Sequence, residues 1–222
     1  MRPAARILVL LTAIGVLGAL AIPSPVLALG PASLGVKAGV TFADVSTPGV
    51  AAVGTGLEHR FGPAGGVSVS WSLNDRVSVG GEVLYVSKGF SFGRFEATDA
   101  SGTTIGTFEA QVVVDYVEVP ILARIGLVTA GPVRPALLLG PAIATKVRER
   151  FKLTGVVHGS SKTDAFTGAD LGLTAGAEVR FRTGPGWSVI DARYTLGLLN
   201  VAEDPSGDAK NRALTVMAGY AF

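Results

Sequence analysis

The sequence predicts an all-β fold: an eight-stranded antiparallel up-and-down transmembrane β-barrel preceded by a cleaved signal peptide. Three observations predict it. Apolar residues recur at every second position along most of the chain. One face of nearly every such segment is almost free of charge, while the opposite face carries acids and bases. The connections between segments alternate between short and long, as an up-and-down membrane barrel requires.

Composition supports this reading. The 222 residues include 30 glycines, and only 16% are charged, while mean hydropathy is +0.47. Membrane-spanning helices do not account for that value. Beyond the N-terminal segment no apolar run approaches the roughly 18 residues a spanning helix needs. The absence of cysteine excludes disulfides, lipoprotein acylation and thiolate metal sites.

The N-terminal segment has the layout of a secretory signal. Arg2 and Arg6 form a positive start, Ile7 to Ile22 is apolar, and Pro23 and Pro25 break the run. Val26-Leu27-Ala28 offers a cleavage site, with Ala19-Leu20-Ala21 as a second, so 1–28 is expected to be removed and 29–222 to form the barrel. Removing Arg2 and Arg6 from the 19 basic residues leaves 17 against 17 acidic ones. The formal charge of +2 is then no argument for nucleic acid.

Period-two alternation between turn signals marks eight strands. The first, about 34–44, sets Leu34, Val36, Ala38, Val40 and Phe42 against Gly35, Lys37, Gly39 and Thr41. The second, about 65–73, alternates Val67, Val69, Trp71 and Leu73 with serines, and Asn74-Asp75 turns the chain. The third, about 76–92, opposes Val77, Val79, Val83 and Tyr85 to Arg76, Ser78, Glu82 and Lys88. The fourth, about 107–127, opposes Val117, Val119, Ile121, Ala123, Ile125 and Leu127 to Glu118 and Arg124. The fifth, about 133–150, carries Leu137, Leu139 and Ile143 against Gly140, Ala142, Ala144 and Lys146. The sixth, about 166–182, carries Leu171, Leu173, Ala175, Val179 and Phe181 against Asp170, Thr174, Glu178 and Arg180. The seventh, about 187–201, carries Ile190, Ala192, Tyr194, Leu196 and Leu198 against Asp191, Arg193 and Thr195. The eighth, 211–222, carries Leu214, Val216, Ala218, Tyr220 and Phe222.

The connections after the second, fourth and sixth strands are short. Those at about 45–64, 93–106, 151–165 and 202–210 are long and are expected on the outer side. A soluble barrel would bury its apolar face, and an apolar calyx would not hold so many charges. Lys37, Glu82, Lys88, Glu118, Arg124, Lys146, Asp170, Glu178, Arg180, Asp191 and Arg193 share the face opposite the apolar one. They suit the interior of a membrane barrel, because a lysine or arginine on the lipid side at midplane costs about 2–4 kcal/mol. The expected location is the cell outer membrane.

Aromatic positions agree. Trp71, Phe181, Tyr220 and Phe222 fall near the turn ends, and Tyr85 and Tyr194 lie where an outer girdle would sit. Trp187 has the wrong parity for the lipid face, which places it at the rim or marks a slip of register. The ending Gly219-Tyr220-Ala221-Phe222 is similar to the signal read by the barrel-assembly machinery, with Tyr220 and Phe222 as its key residues.

Asp115-Tyr116-Val117-Glu118-Val119-Pro120-Ile121-Leu122 resembles a strand motif of the PorT-like outer-membrane barrel family, a group akin in architecture to OmpA-type small barrels. Leu34 to Phe42, Ser87-Lys88-Gly89, Gly197 to Val201 and Lys210-Asn211-Arg212 look like further parts of the pattern. The resemblance spans the mature chain and implies the barrel, not an activity.

Candidate chemistry is sparse. His59 and His158 fall in expected outer loops, the latter near Ser160 and Asp164. A triad needs rigid support, which such a loop does not supply. No metal motif occurs. No catalytic residue, metal or cofactor is therefore expected. Glu118 with Arg124, and Asp191 with Arg193, could form a proton relay or ion path. An eight-stranded barrel is just wide enough to be filled by side chains, however, which favours a paired network closing the lumen. The third long connection is basic: Arg148, Arg150 and Lys152 are candidates for an anionic ligand such as lipopolysaccharide, against the reading of a solvated loop.

The function expected is a monomeric scaffold presenting outer loops for binding or envelope integrity. The alternatives are a narrow pore and a lipid-modifying enzyme. Expected partners are outer-membrane lipids, lipopolysaccharide and, during biogenesis, periplasmic chaperones and the assembly machinery, with no nucleic acid.

Overall fold

The structure, a computed structural model, describes residues 32–46, 58–155, 159–162, 168–201 and 209–222. The expected signal segment 1–28 lies outside the described residues. Nine strands run in chain order among the described residues: β1 (Ala32–Ser46), β2 (Glu58–Ser72), β3 (Val77–Thr98), β4 (Thr104–Gly126), β5 (Val133–Thr154), β6 (Gly159–Lys162), β7 (Ala169–Thr183), β8 (Gly186–Gly197) and β9 (Lys210–Ala221). Each of the eight long strands pairs antiparallel with its neighbours, and β1 pairs with β9 to close the ring. Closure gives every long strand a partner on both sides, the condition for strands in hydrocarbon.

Eight staves were expected, and eight form the barrel. The ninth, β6, extends the end of β5 as a four-residue hairpin partner. Three long connections are shorter than the alternation suggests, because the strands continue above the apolar band; β1 and β2 leave only 47–57 between them. β3 and β4 run on to a turn at 99–103, where the Asp99 carboxylate accepts from the backbone N–H of Ser101 and Thr103 and from the Ser101 hydroxyl. The Ser101 hydroxyl leads in holding that carboxyl below its usual range. β5 likewise runs to Thr154, so Arg148, Arg150 and Lys152 lie on a strand and not, as expected, in and beside a loop.

The turn end is tightly built. Leu73 N–H and Asn74 N–H both donate to Val77 O. Tyr220 donates its hydroxyl to Thr183 O and accepts from Gly186 N–H, both at 2.9 Å, tying β9 to the β7–β8 turn.

Sidedness follows the alternation. Leu34, Val36, Val67, Val83, Ile121, Leu137, Leu139, Ile143, Leu173, Ile190, Leu196 and Leu214 are all exposed on the outer surface. Tyr85 and Tyr194 join them. The acids and bases of the opposite parity are buried inside.

Candidate functional site

The lumen is built in layers. Nearest the turn end, Lys37 on β1, Glu82 on β3, Glu178 on β7 and Asp191 and Arg193 on β8 all point inward and meet. Lys37 Nζ lies 2.9 Å from Glu82, 2.7 Å from Asp191 and 3.5 Å from Glu178. The Arg193 guanidinium donates to Glu82 at 2.7 and 3.3 Å and to Asp191 at 3.0 and 2.8 Å. Arg124 Nε and Arg180 Nε both donate to Glu178 Oε1, at 2.7 and 2.6 Å. Asp191 and Arg193 are fully buried, with side chains 0% and 1% exposed.

Above this layer the lumen is filled by threonines and apolar groups. Thr215 donates to Thr41, and Thr174 and Thr195 share a hydrogen bond of 2.8 Å. Ala64, Leu84, Val86 and Met217 pack together.

A second polar layer follows. Lys88 Nζ donates to Glu118 and lies 5.5 Å from the Tyr116 ring centroid. Asn211 donates to Asp170 at 2.8 Å and to the Tyr116 hydroxyl. Lys146 pairs with Glu149 at 2.8 Å. The loop end is then stoppered by Val45, Val112, Val114, Val201 and Ala209, with Phe90 and Phe151 against them.

The sequence reading placed Lys37, Glu82, Lys88, Glu118, Arg124, Lys146, Asp170, Glu178, Arg180, Asp191 and Arg193 on one face, and the structure brings all of them inside. Glu149 joins them. Among the described residues this set comprises six bases (Lys37, Lys88, Arg124, Lys146, Arg180, Arg193) and six acids (Glu82, Glu118, Glu149, Asp170, Glu178, Asp191), a formal charge of zero. Asp191 and Arg193 pair as expected. Glu118 and Arg124 do not: each is held by a partner from another strand, Lys88 and Glu178 respectively. Removing either member of a desolvated pair strands a charge, which is why the interior tolerates these groups only as a matched set.

The outer half of the wall contains a feature the sequence did not announce. The β2–β3 ladder shifts register between His59 and Ala64. Across that gap the Arg60 guanidinium donates to Ser87 O, Lys88 O and the Ser87 hydroxyl, at 3.1–3.2 Å. It takes the place of backbone N–H groups that no longer reach β3. The Ser87 hydroxyl in turn donates to Asp115, which also pairs with Arg150 at 3.1 Å. Of the three basic candidates on β5, Arg150 is therefore neutralised by Asp115, Arg148 is exposed and Lys152 is half-buried.

At the turn end the mouth is rich in arginine. Arg134 on β5 stands directly across from Arg180 on β7, and Arg182 directly across from Trp187 on β8. The Trp187 ring is covered by Arg134 at 4.5 Å and Arg182 at 5.3 Å. Trp187 therefore faces the lumen mouth: its register is sound and its parity is that of the interior. Trp71, Phe181, Tyr220 and Phe222 lie at this same end, with Tyr220 and Phe222 in edge contact at 5.0 Å.

Of the histidine set, only His59 and Ser160 fall among the described residues. His59 is exposed on β2 and lies 3.2 Å from Asp44. Ser160 is exposed on β6, whereas His158 and Asp164 lie outside the described residues.

Residues 24–203 match the family model described as outer membrane protein beta-barrel domain. Similar solved structures include Ail, the attachment invasion locus protein of Yersinia pestis, in complex with the heparin analogue sucrose octasulfate. It is 17% identical, with 86% of this chain and 99% of that chain covered and a TM-score of 0.42. Neisserial surface protein A is 16% identical, with 85% and 97% covered and a TM-score of 0.39. A major outer membrane protein from Thermus thermophilus is 16% identical, with 86% and 98% covered and a TM-score of 0.42. No curated protein matches the chain.

Proposed function

The chain belongs to the outer membrane protein β-barrel domain family and resides in the outer membrane, and from that premise we propose that it acts as a closed, monomeric scaffold whose outer connections bind partners or maintain the envelope. The observation that carries the reading is the filled lumen. Two ionic layers, a threonine and apolar layer between them and an apolar stopper occupy the interior. The space left at the turn end amounts to a cavity of about 40 Å³, room for a water or two. A barrel so filled offers its outer surface to partners and its interior to stability. The role is non-catalytic and needs no cofactor.

The proposal extends to partners. Arg148 and Lys152, on the outward face of β5 above the apolar band, suit the phosphates of lipopolysaccharide. Arg148→Ala with Lys152→Ala would weaken binding to purified lipopolysaccharide, and unchanged binding would remove that part of the reading. Tyr220 and Phe222 would serve the assembly machinery and its chaperones. The resemblance of Asp115–Leu122 to the PorT-like pattern supports assigning the chain to that subgroup; its residues supply the wall carboxylate Asp115 and the lumen groups Tyr116 and Glu118.

The test of the main reading is capture of the chain's partners by intact cells displaying it, compared with variants lacking the 47–57 or 202–208 connection. Loss of capture with an intact barrel supports the scaffold role. Capture that survives both deletions contradicts it.

A further inference from the structure

We propose that the periplasmic mouth of the lumen is a binding site for a small soluble oxyanion of the phosphate class. Three features of the mouth point there, and none depends on the outer connections.

The first is an excess of guanidinium groups. Arg124, Arg134, Arg180 and Arg182 converge on this end from β4, β5 and β7, and Arg124 lies within electrostatic reach of both Arg134 and Arg180. Among the described residues, all the salt bridges these four arginines make end on Glu178. That carboxylate is already shared with Lys37.

The second is a like-charge pair of which Glu178 offsets only one member, Arg180. Arg134 and Arg180 are directly opposed on adjacent strands and face the same side. Like charges so placed destabilise a sheet, and an anion between them reverses the sign of that interaction. Arg124 and Arg180 spend only their Nε–H groups on Glu178. Among the described residues their terminal nitrogens make no hydrogen bond and remain as forked donors, the arrangement that takes two oxygens of a tetrahedral anion.

The third is a built recess. Ser68, Ser70 and Ser78 line the cavity of about 40 Å³ together with Arg124, Arg180 and Lys37 and with the carboxylates of Glu82 and Glu178, which Lys37, Arg124, Arg180 and Arg193 hold in ion pairs. Hydroxyls at the wall supply neutral donors, and a recess with room for a water or two takes one or two oxygens of a phosphate seated at its periplasmic opening. Trp187, clamped between Arg134 and Arg182, fixes one side of the entrance. A positive recess with low-dielectric walls also concentrates anions from solution.

The experiment is a titration of the full folded chain in phosphatidylcholine nanodiscs with sodium phosphate. Arginine Nε–H resonances are followed by nitrogen-15 spectroscopy, against sodium chloride at matched ionic strength. The site predicts saturable shifts of Arg124, Arg134 and Arg180 with phosphate and none of that form with chloride. Arg134 makes no salt bridge among the described residues, so Arg134→Gln spares the lumen network. It should weaken phosphate binding by about tenfold or more, the loss of one charge-assisted contact. Arg94→Gln, at the opposite end, should leave it unchanged. Shifts that rise linearly and equally with chloride would overturn the proposal, as would equal weakening by both substitutions or an unaffected Arg134→Gln protein. Nanodiscs doped with anionic phosphatidylglycerol separate the soluble guest from a lipid headgroup: saturation of the shifts by that lipid alone also overturns it.

Discussion

Arg193→Met removes the group that holds two lumen carboxylates together. Four hydrogen bonds are lost, two to Glu82 and two to Asp191. Both acids then depend on Lys37 Nζ, 2.9 and 2.7 Å away, which cannot neutralise two charges. Glu82 lines the mouth cavity, so water can reach it. Asp191 has no exposed side-chain surface, and the stranded charge falls there. Breaking a buried pair costs about 3–5 kcal/mol; hydration of Glu82 places the expected loss near the lower end, at about 3 kcal/mol. Asp191→Asn in the same chain leaves Lys37 and Glu82 paired one to one. That double variant should recover about 2 kcal/mol relative to Arg193→Met alone, well outside the additivity of independent sites. The assay is reversible urea unfolding in lipid vesicles followed by tryptophan fluorescence. A single variant that loses under about 1 kcal/mol, less than a buried pair allows, would refute the reasoning. So would a double variant whose loss is the sum of the two single ones.

Three further outcomes follow from the same geometry. Leu139 lies on the lipid face midway along the membrane-crossing part of β5, so Leu139→Arg should cost about 2–4 kcal/mol in vesicle unfolding; a neutral effect would place that face away from lipid. Gly89 adopts a φ of +126° at the β2–β3 register shift, and a Cβ there would meet Val112 O at 2.0 Å. Gly89→Ala should therefore destabilise by more than about 1 kcal/mol in the same assay, combining backbone strain with overpacking, whereas Gly102→Ala, with open space around its Cβ, should be milder. On the proposed closed lumen, purified protein in planar bilayers should hold a flat current baseline, because the ionic layers and the stopper fill the bore among the described residues; resolvable step openings would refute closure.

The parity of the lumen charges was legible because a barrel strand repeats with period two. Lys37, Glu82, Glu178 and Asp191 could be sorted to one face without knowing the register. Their partners could not be read, since pairing across the lumen depends on strand tilt and stagger. Lys37 meets Asp191 from 154 residues away, and Glu118 meets Lys88 in place of Arg124. The sequence ends the fifth strand at about 150, short of Thr154, for a different reason. A register shift opposite Asp115 and Tyr116 inserts an extra residue, so that Lys146 and Glu149 both face inward. The alternation breaks there, and a run of charges without alternation looks like solvent-exposed chain. Arg60 was hidden likewise, in a stretch that carries Gly62 and Pro63 and so read as connection. Its role in the wall exists only because the β2–β3 ladder opens beside it.

The chain has two tryptophans, which the alternation places on opposite faces: Trp71 with Val67 and Val69 toward lipid, and Trp187 inside the mouth between two arginines. Single-tryptophan chains made by Trp187→Phe and Trp71→Phe, folded into vesicles of phospholipid brominated high on the acyl chain, report each face separately. Strong quenching of Trp71 with Trp187 left bright is the expected result. Equal quenching of both, or quenching of Trp187 alone, would contradict an interior that excludes lipid and holds the ionised groups.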